Sequence, residues 1–537
     1  MKKIIIYISL ICLMLASVSC SDYLKEERRS GVTVDYLYST PEGLKLALNA
    51  TYALHKTLFY YETDYHSTLM VAYRRSDLVS NGESSTGSYF AEWNPVYLTP
   101  NSNQVKYLWN WHYQIISRAN EIIGAAETMP ESDDLKQIVA EAKCHRAYSY
   151  LYLWKSYSRI WLNTKAITPD NVDEEIVYRP ATNEEVWALL CDDLNYAIGV
   201  LPWVTEPGRY NQAAARHLLS EVSMYKEDWD TVIDQTDAIE NSGFYSLIEV
   251  DDVFRGANLN HSESLFTQQW STNLGGTCSP TLGWGHYFAS QFGSYYYSQI
   301  PGNSIEERCS PENGGYTRGR ILPNDYLLGL YDKVNDRRFT EWFIHRYKNT
   351  SSNDIKYGKV DGVDVIVKPG EYFPETKSGK YVSQIMPSTR KYWDTDTRAN
   401  GQVRGYKDLI FFRLAEDYIW AAEAALKKNN QTLAKYYYNK TWERAGNAEF
   451  TGVLTMQDII DEQARELNME GNRFFYIKRL GLAAQYIKEH GGNNLLKGRF
   501  INCRTNIVGH EHFVDLPIPQ SQINSMGEEN FPQNPGY

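Results

Sequence analysis

The sequence predicts a mostly α-helical protein: an irregular α-solenoid of tetratricopeptide-like helix pairs, with loop-rich regions and a few short strands. Three observations predict it. Long stretches carry apolar residues at the 3.6-residue period of a helix. Two of these stretches form helix–turn–helix units of roughly 34 residues with small and aromatic residues at the packing positions. Other stretches are rich in Gly, Ser, Asn, Pro and Tyr and keep no lasting helical period.

Lys2 and Lys3 precede an apolar run from Ile4 to Ala16. At about 1.5 Å per helical residue that run is too short for a bilayer core of about 30 Å. Small residues Ala16, Ser17 and Ser19 lead to Cys20, as in a secretory signal with a small-residue cleavage site. The pattern is similar to a bacterial lipobox, although Ser17 stands where an aliphatic residue is usual. The expectation is a signal peptide over 1–19, lipidation (palmitate) at Cys20 and a lipid-anchored tether over 20–40. The other reading is a secreted chain with a free cysteine near its start.

The helices follow in order. Residues 41–56 carry Leu44, Ala47, Leu48, Tyr52 and Leu54 near one stripe. Residues 105–124 do the same with Leu108, Trp109, Tyr113, Ile116 and Ala119. Residues 135–161 read as one long aromatic-rich helix. Thr182 and Glu185 form a capping box before the next helix, because each can satisfy a backbone N–H of the other. The first helix pair spans 210–247, with Ala213 to Ala215 permitting close approach, a "KED" turn after Tyr225, and Gly243 as the stop. The second spans 411–446 and turns at "KNNQ". Residues 267–320 and 349–405 are the loop-rich regions, with a short hairpin expected across Asp361-Gly362. Their length points to function rather than mere connection. The expected division is 41–260 and 261–537, packed as one body.

Composition narrows the chemistry. Lys and Arg number 54 against 66 Asp and Glu, a net charge of −12, which argues against nucleic acid as a partner. Cys144, Cys191, Cys278, Cys309 and Cys503 are widely spaced and form neither a disulfide framework nor a zinc pattern; at most a pair such as Cys278 and Cys309 is bridged. No Walker A run, Rossmann glycine fingerprint, G-x-S-x-G elbow or H-E-x-x-H occurs, so no catalytic residue, metal or cofactor is expected. "HEH" at 510–512 reads as a surface loop. "DTDTRANG" at 394–401 fails as a calcium loop because Arg398 stands where an oxygen ligand is needed.

Aromatics are the unusual feature, with 42 Tyr, 14 Trp and 18 Phe. Solenoid packing accounts for Trp109, Tyr113, Tyr148, Trp154 and Trp420. It accounts less well for rings in Gly-, Ser- and Asn-rich surroundings: Tyr89, Phe90 and Trp93, then Trp284, Tyr287 and Phe288, then Tyr295, Tyr296 and Tyr297. A ring in a polar loop is a platform for the C–H face of a sugar, at about 1 kcal/mol per stacking contact by analogy with aromatic pairs. Tyr89, Phe90, Trp93, Trp284, Tyr287, Tyr295 and Tyr296 are therefore the candidate ligand-binding residues.

Several stretches carry a family resemblance. "CSDYL" starts at Cys20. Trp109, Tyr113 and Asn120 follow as W-x3-Y-x6-N, and Ala140, Glu141, Ala142, Arg146 and Ala147 as AEA-x-x-x-RA. Arg413, Glu416 and Glu423 match an RLAE…AEA helix. Asn439, Arg444, Ala445 and Gly446 come next, then Glu466, Glu470, Gly471, Arg473, Arg479 and Gly481. Tyr476 stands where an aspartate is usual. "LPIP" at 516–519 and "QNPGY" at 533–537 close the chain. In this order the motifs resemble the SusD/RagB family of surface nutrient-binding lipoproteins from Bacteroidetes.

The resemblance implies a helical body with four tetratricopeptide-like pairs, outer-membrane anchoring by lipid, and a SusC-type TonB-dependent transporter as partner. It implies capture of oligosaccharides, or in some members peptides, and scaffold roles for the shared motifs, such as a buried pairing of Arg473 with Glu416 or Glu466. It names no ligand residue here. The leading expectation is a cell-surface glycan-binding protein that is not an enzyme and acts as the substrate-capturing lid of the transporter in polysaccharide utilisation. A peptide-binding member, a surface glycoside hydrolase and a helical scaffold are the other readings.

Overall fold

The computed structural model describes residues 34–60, 69–82, 93–166, 171, 173–271, 285–360, 363–374, 384–494 and 501–537. The long helices are α1 Pro41–Tyr60, α2 Asn103–Ala126, α3 Asp133–Tyr157, α4 Asn183–Val200, α5 Gln212–Lys226, α6 Trp229–Asn241, α7 Leu414–Lys427, α8 Gln431–Arg444 and α9 Met456–Leu467, followed by the short α10 Arg473–Arg479. Each of α1 to α6 packs on the next, and α7 then packs on α6 and on α8. The helical stack thus resumes after a long insertion, and α6 and α7 are neighbours although residues 242–413 separate them. Short helices and two-stranded ribbons fill the insertion. No described helix is long and apolar enough to cross a membrane.

The helix starts follow from local chemistry. Thr182 accepts from the Glu185 amide (3.2 Å) and Glu185 Oε2 accepts from the Thr182 amide (2.9 Å), so the capping box forms as its spacing requires. Ser132, Asn211, Asp228 and Asn430 each accept an amide in the first turn of α3, α5, α6 and α8. Both tight inter-helix turns use a left-handed residue, Glu227 and Asn429, each at φ 58°. The apolar period of α3 runs on to Trp161, but the helix stops at Tyr157, because Ser158 adopts φ 61° and redirects the chain. The segment beyond is held by two tyrosine hydroxyls. Tyr113 bonds both the N–H and the C=O of Trp161 (2.9 Å each), and Tyr150 does the same for Asn163 (2.8 and 2.7 Å).

The strands are short: β1 Val79–Asn81, β2 Ser264–Gln268, β3 Ile321–Pro323, β4 Phe343–Ile344, β5 Ile355–Val360, β6 Val363–Val367, β7 Ser388–Thr389 and β8 Leu409–Arg413. They pair antiparallel as β1–β3, β2–β8, β4–β7 and β5–β6. The expected hairpin is β5–β6, closed by the Val360–Val363 pair. The main core runs through the helical stack into the C-terminal segment. A satellite core forms within the insertion around Tyr296, Ile344, Tyr347, Tyr357 and Phe373.

Buried ion pairs tie the parts together, and one expected pairing is corrected. Arg473 binds neither Glu416 nor Glu466. Its Nε and Nη2 donate to Asp77 at 2.9 and 2.8 Å. Glu466 is instead held by Arg338 (2.7 Å), Arg413 (2.6 Å) and Arg444. Burial alone would raise the Glu466 carboxyl; these three guanidinium groups hold it well below the usual carboxylate range. Glu416 accepts from Asn472 and lies 3.7 Å from His217. Other motif residues are scaffold as well: Arg146 clamps Asp193 with two bonds of 2.8 Å and reaches Asn120 at 2.8 Å. Cys309, half of the bridge considered, is a buried free thiol; Cys278 lies outside the described residues.

Candidate functional site

Cys20, Tyr89, Phe90 and Trp284 lie outside the described residues. The structure does not present Trp93, Tyr287 and Tyr296 as an open platform, and that expectation is corrected for them. Trp93 is 2 % exposed; the Arg75 guanidinium lies 4.7 Å from its centroid, and Phe474 meets its edge. Tyr287 is 2 % exposed, and its hydroxyl accepts from Arg404 Nε at 2.8 Å. Tyr296 is fully buried, stacked on Tyr347 at 5.1 Å; its hydroxyl accepts from the Ser310 amide (3.0 Å) and donates to the Gly315 carbonyl (2.9 Å). Phe288 and Tyr297 are buried as well. Tyr295 remains half-buried, its ring edge on Tyr297 at 4.8 Å. The small residues around these rings serve close packing. A Cβ on Gly319, which sits at φ 56°, would meet the Tyr295 backbone nitrogen at 2.8 Å.

An open polar and aromatic surface lies instead where β2 ends. A cavity of about 200 Å³ is lined by Asn49, His55 and Lys56 of α1, by Arg209, and by Gln268 and Gln269. Trp270 stands beside it, half-buried, with the Lys56 ammonium 5.3 Å from its ring and His286 against its edge at 5.2 Å. The pairing of β2 with β8, Gln268 opposite Leu409, places Asp408 under this corner. Asp408 accepts from the Trp270 amide (3.1 Å), the Leu259 amide (3.3 Å) and Asn260 (3.2 Å). Burial raises its carboxyl despite these bonds.

The polar groups are fixed before any ligand arrives. Trp270 Nε1 donates to Gln268 Oε1 at 3.1 Å. Gln269 Nε2 donates to Thr267 (2.8 Å) and Asn260 (2.9 Å), and Asn260 donates back to Gln269 Oε1 (3.0 Å). Tyr52 and Arg209, which also line the cavity, both donate to Glu141, at 2.7 and 2.9 Å. Gly208, at φ 82°, lets the turn before Arg209 approach Gln269; a Cβ there would lie 2.7 Å from Gln269 Cγ. Burial pulls His55 down to about 3, so its imidazole is neutral at neutral pH. The result is a rigid concave corner of amides, one indole and a lysine. Among the described residues Gln268 Nε2 and Asn49 Nδ2 have no protein partner, and both residues line the cavity. Such a corner can bind a polyol by hydrogen bonds and ring contact.

Trp270, Gln268 and Gln269 escaped the sequence reading, although they stand in a loop-rich region that it singled out. The available signal was "SLFTQQW", a buried strand ending abruptly in two amides and an indole. The "HEH" histidines pack on Phe513, at 5.1 Å for His510 and 4.6 Å for His512. In "DTDTRANG", Asp394 accepts from Thr397 and Tyr406 amides at 2.9 Å, and Arg398 donates to the Tyr316 carbonyl at 2.7 Å. Among the described residues no group of three or more His, Cys, Asp or Glu is placed to hold a metal ion.

Residues 254–537 match a family model described as the SusD family, and residues 45–224 match one described as "Starch-binding associating with outer membrane". A SusD-like protein of Bacteroides ovatus is 26% identical over 516 residues, covering 88% of this chain and 82% of the relative. The crystal structure of a SusD homolog from Bacteroides thetaiotaomicron superposes with a TM-score of 0.74 at 16% identity, covering 94% of this chain and 99% of that one. Surface glycan-binding protein A from Bacteroides fluxus superposes with a TM-score of 0.67 at 20% identity, covering 93% of this chain and all of that one (100%).

Proposed function

The chain belongs to the SusD family, and from that premise we propose that it captures oligosaccharides at the bacterial cell surface without altering them. The observation that carries this reading is the fixed corner of Trp270, Gln268 and Gln269 beside a 200 Å³ cavity. Its amides are already oriented by Asn260, Thr267 and Trp270, so little ordering entropy is lost on binding. A shallow site of this kind has a dissociation constant of µM to mM, about −8 to −4 kcal/mol. Tyr295, still half-buried, is a further ring within the same insertion. The names of the B. fluxus relative and of the model matched by residues 45–224 support a glycan as the ligand class.

In this reading residues 1–19 are a signal peptide, Cys20 carries the lipid, and the body faces outward on the outer membrane. It serves as the lid of a SusC-type TonB-dependent transporter. Anchoring beside the transporter raises the local concentration of captured glycan, so weak binding suffices. Native gel electrophoresis through embedded polysaccharides tests the capture function. Retarded migration on one glucan, unchanged reducing ends and no retardation of Trp270→Ala are the expected results. Normal migration on every polysaccharide, or release of new reducing ends, overturns the proposal.

A further inference from the structure

The C-terminal ends of α3, α5, α7 and α10 converge on a second cavity of about 400 Å³, which shares no lining residue with the cavity beside Trp270. Each helix carries a cation in its last turn: Lys155, Lys226, Lys427, and Lys478 with Arg479. These charges complement the negative ends of the helix dipoles, which explains why cations gather here. Dipole capping explains neither the rings nor the hollow. Trp154 and Tyr225 line the cavity edge to face at 5.1 Å, and Trp229, the first residue of α6, closes another side. All three remain half-buried. Trp154 is held in place by Nε1 donating to Asn183 at 3.0 Å and by Trp187 against it at 4.4 Å.

The charges around the cavity identify the ligand class. Lys155 pairs with Glu221 (2.5 Å), Lys478 with Asp515 (2.7 Å) and Arg479 with Glu423 (2.7 Å). Lys427 and Glu227 are exposed and line the cavity, one of each sign, and among the described residues neither makes an ion pair. Three of the four lining cations are thus already paired with carboxylates that do not line the cavity, and Lys427 and Glu227 face it as one charge of each sign. A charged ligand that meets one of these two groups favourably meets the other as a like charge. An uncharged polyol gains donors from Lys427 and Arg479, an acceptor from Glu227, and apolar ring surface. The volume lies within the range of about 300–1,000 Å³ that holds small ligands.

We propose that this cavity is a second saccharide site, taking a short segment of an uncharged glycan with Trp229 as its ring and Lys427 and Glu227 as its hydroxyl partners. The proposal rests on the reading that the chain binds glycans, and it predicts two independent sites on one body. Full-chain protein labelled with 5-fluorotryptophan separates the two claims, with the Trp229 and Trp270 resonances assigned from Trp229→Phe and Trp270→Phe. The probes are maltohexaose and laminarihexaose, with an oligogalacturonate as the charged control. The expected result is a saturable shift of the Trp229 resonance with a neutral hexasaccharide, at least fivefold weaker in Lys427→Ala. The Trp270 titration should stay unchanged in that variant. A Trp270 shift with a still Trp229 overturns the second site alone. A Trp229 titration indifferent to Lys427→Ala, or one stronger with oligogalacturonate, also overturns it. If neither resonance moves with any probe, this proposal and the glycan-capture reading fall together.

Discussion

Asp77 and Arg473, 396 positions apart, are joined by two parallel hydrogen bonds with both side chains buried. Arg473 also donates to the Ile460 carbonyl (2.8 Å) and to Gln463 (3.0 Å), so one guanidinium fastens the early segment before β1 to α9 and α10. Removing one partner leaves an uncompensated buried charge, at a cost of about 3–5 kcal/mol. Asp77→Ala is therefore expected to lower the free energy of unfolding by that amount in urea titrations. A change below about 0.5 kcal/mol, the size of an ordinary surface substitution, would show that the pair does not hold the fold.

Acid is expected to weaken the protein below about pH 6.5, the ordinary histidine value. Burial lowers His55 to about 3 and His286 to about 4, and it holds His112 and His145 well below their ordinary value. Below pH 6.5 the unfolded chain takes up protons that the folded one refuses, so stability is present above that pH and drains away as pH falls toward 4. His217 works the other way: burial would lower it, but Asp417, at 2.8 Å, raises it. Four lowered histidines outweigh His217 and the buried Glu416 carboxyl, which both act in the opposite sense over this range. Urea midpoints at pH 7.5 and 5.0 check the sign. A higher midpoint at pH 5.0 would contradict it.

Glu416 gives an effect at the alkaline end. Burial raises its carboxyl to about 8. A raised carboxyl favours the fold while protonated, and that contribution is lost as pH climbs from the ordinary value of about 4.3 through 8. Glu416→Gln keeps a neutral partner for Asn472 and should gain stability relative to the parent at pH 9 but not at pH 5. Thermal melts at the two pH values read the difference directly.

Trp270 and Tyr296 separate binding from folding. Trp270→Ala removes a half-buried ring contact of about 1–1.5 kcal/mol, a five- to tenfold loss of glycan affinity, with the melting temperature little changed. Tyr296→Phe leaves the Ser310 amide and the Gly315 carbonyl without their buried partner, at about 1–3 kcal/mol. Its expected readout is faster amide hydrogen exchange at Ser310. An affinity loss confined to Tyr296→Phe, with Trp270→Ala silent, would reverse the assignment.

The helical stack was legible because its signals are local. Periodicity marks α1 to α8, Thr182 and Glu185 announce α4, and the "KED" and "KNNQ" turns announce the two tight pairs. Non-local relations were not legible. Nothing in the sequence says that Arg473 finds Asp77 rather than Glu466, since the choice depends on chain segments hundreds of residues apart. The burial of Tyr296 was not legible for a related reason. Gly and Ser around Tyr296 and Tyr297 read as open loop, yet they permit the close backbone approach that buries those rings in the satellite core. Gln268, Gln269 and Trp270 become a site only when β2 pairs with β8 and brings Asp408 beneath them.

Isothermal titration of the full chain with a panel of uncharged oligosaccharides, with the mixture then examined for new reducing ends, tests capture without chemistry in a single experiment. Saturable heat at µM to mM dissociation constants with every sugar recovered intact is what the arrangement around Trp270 predicts. Flat titrations across the panel, or shortened sugars in the cell, would contradict it.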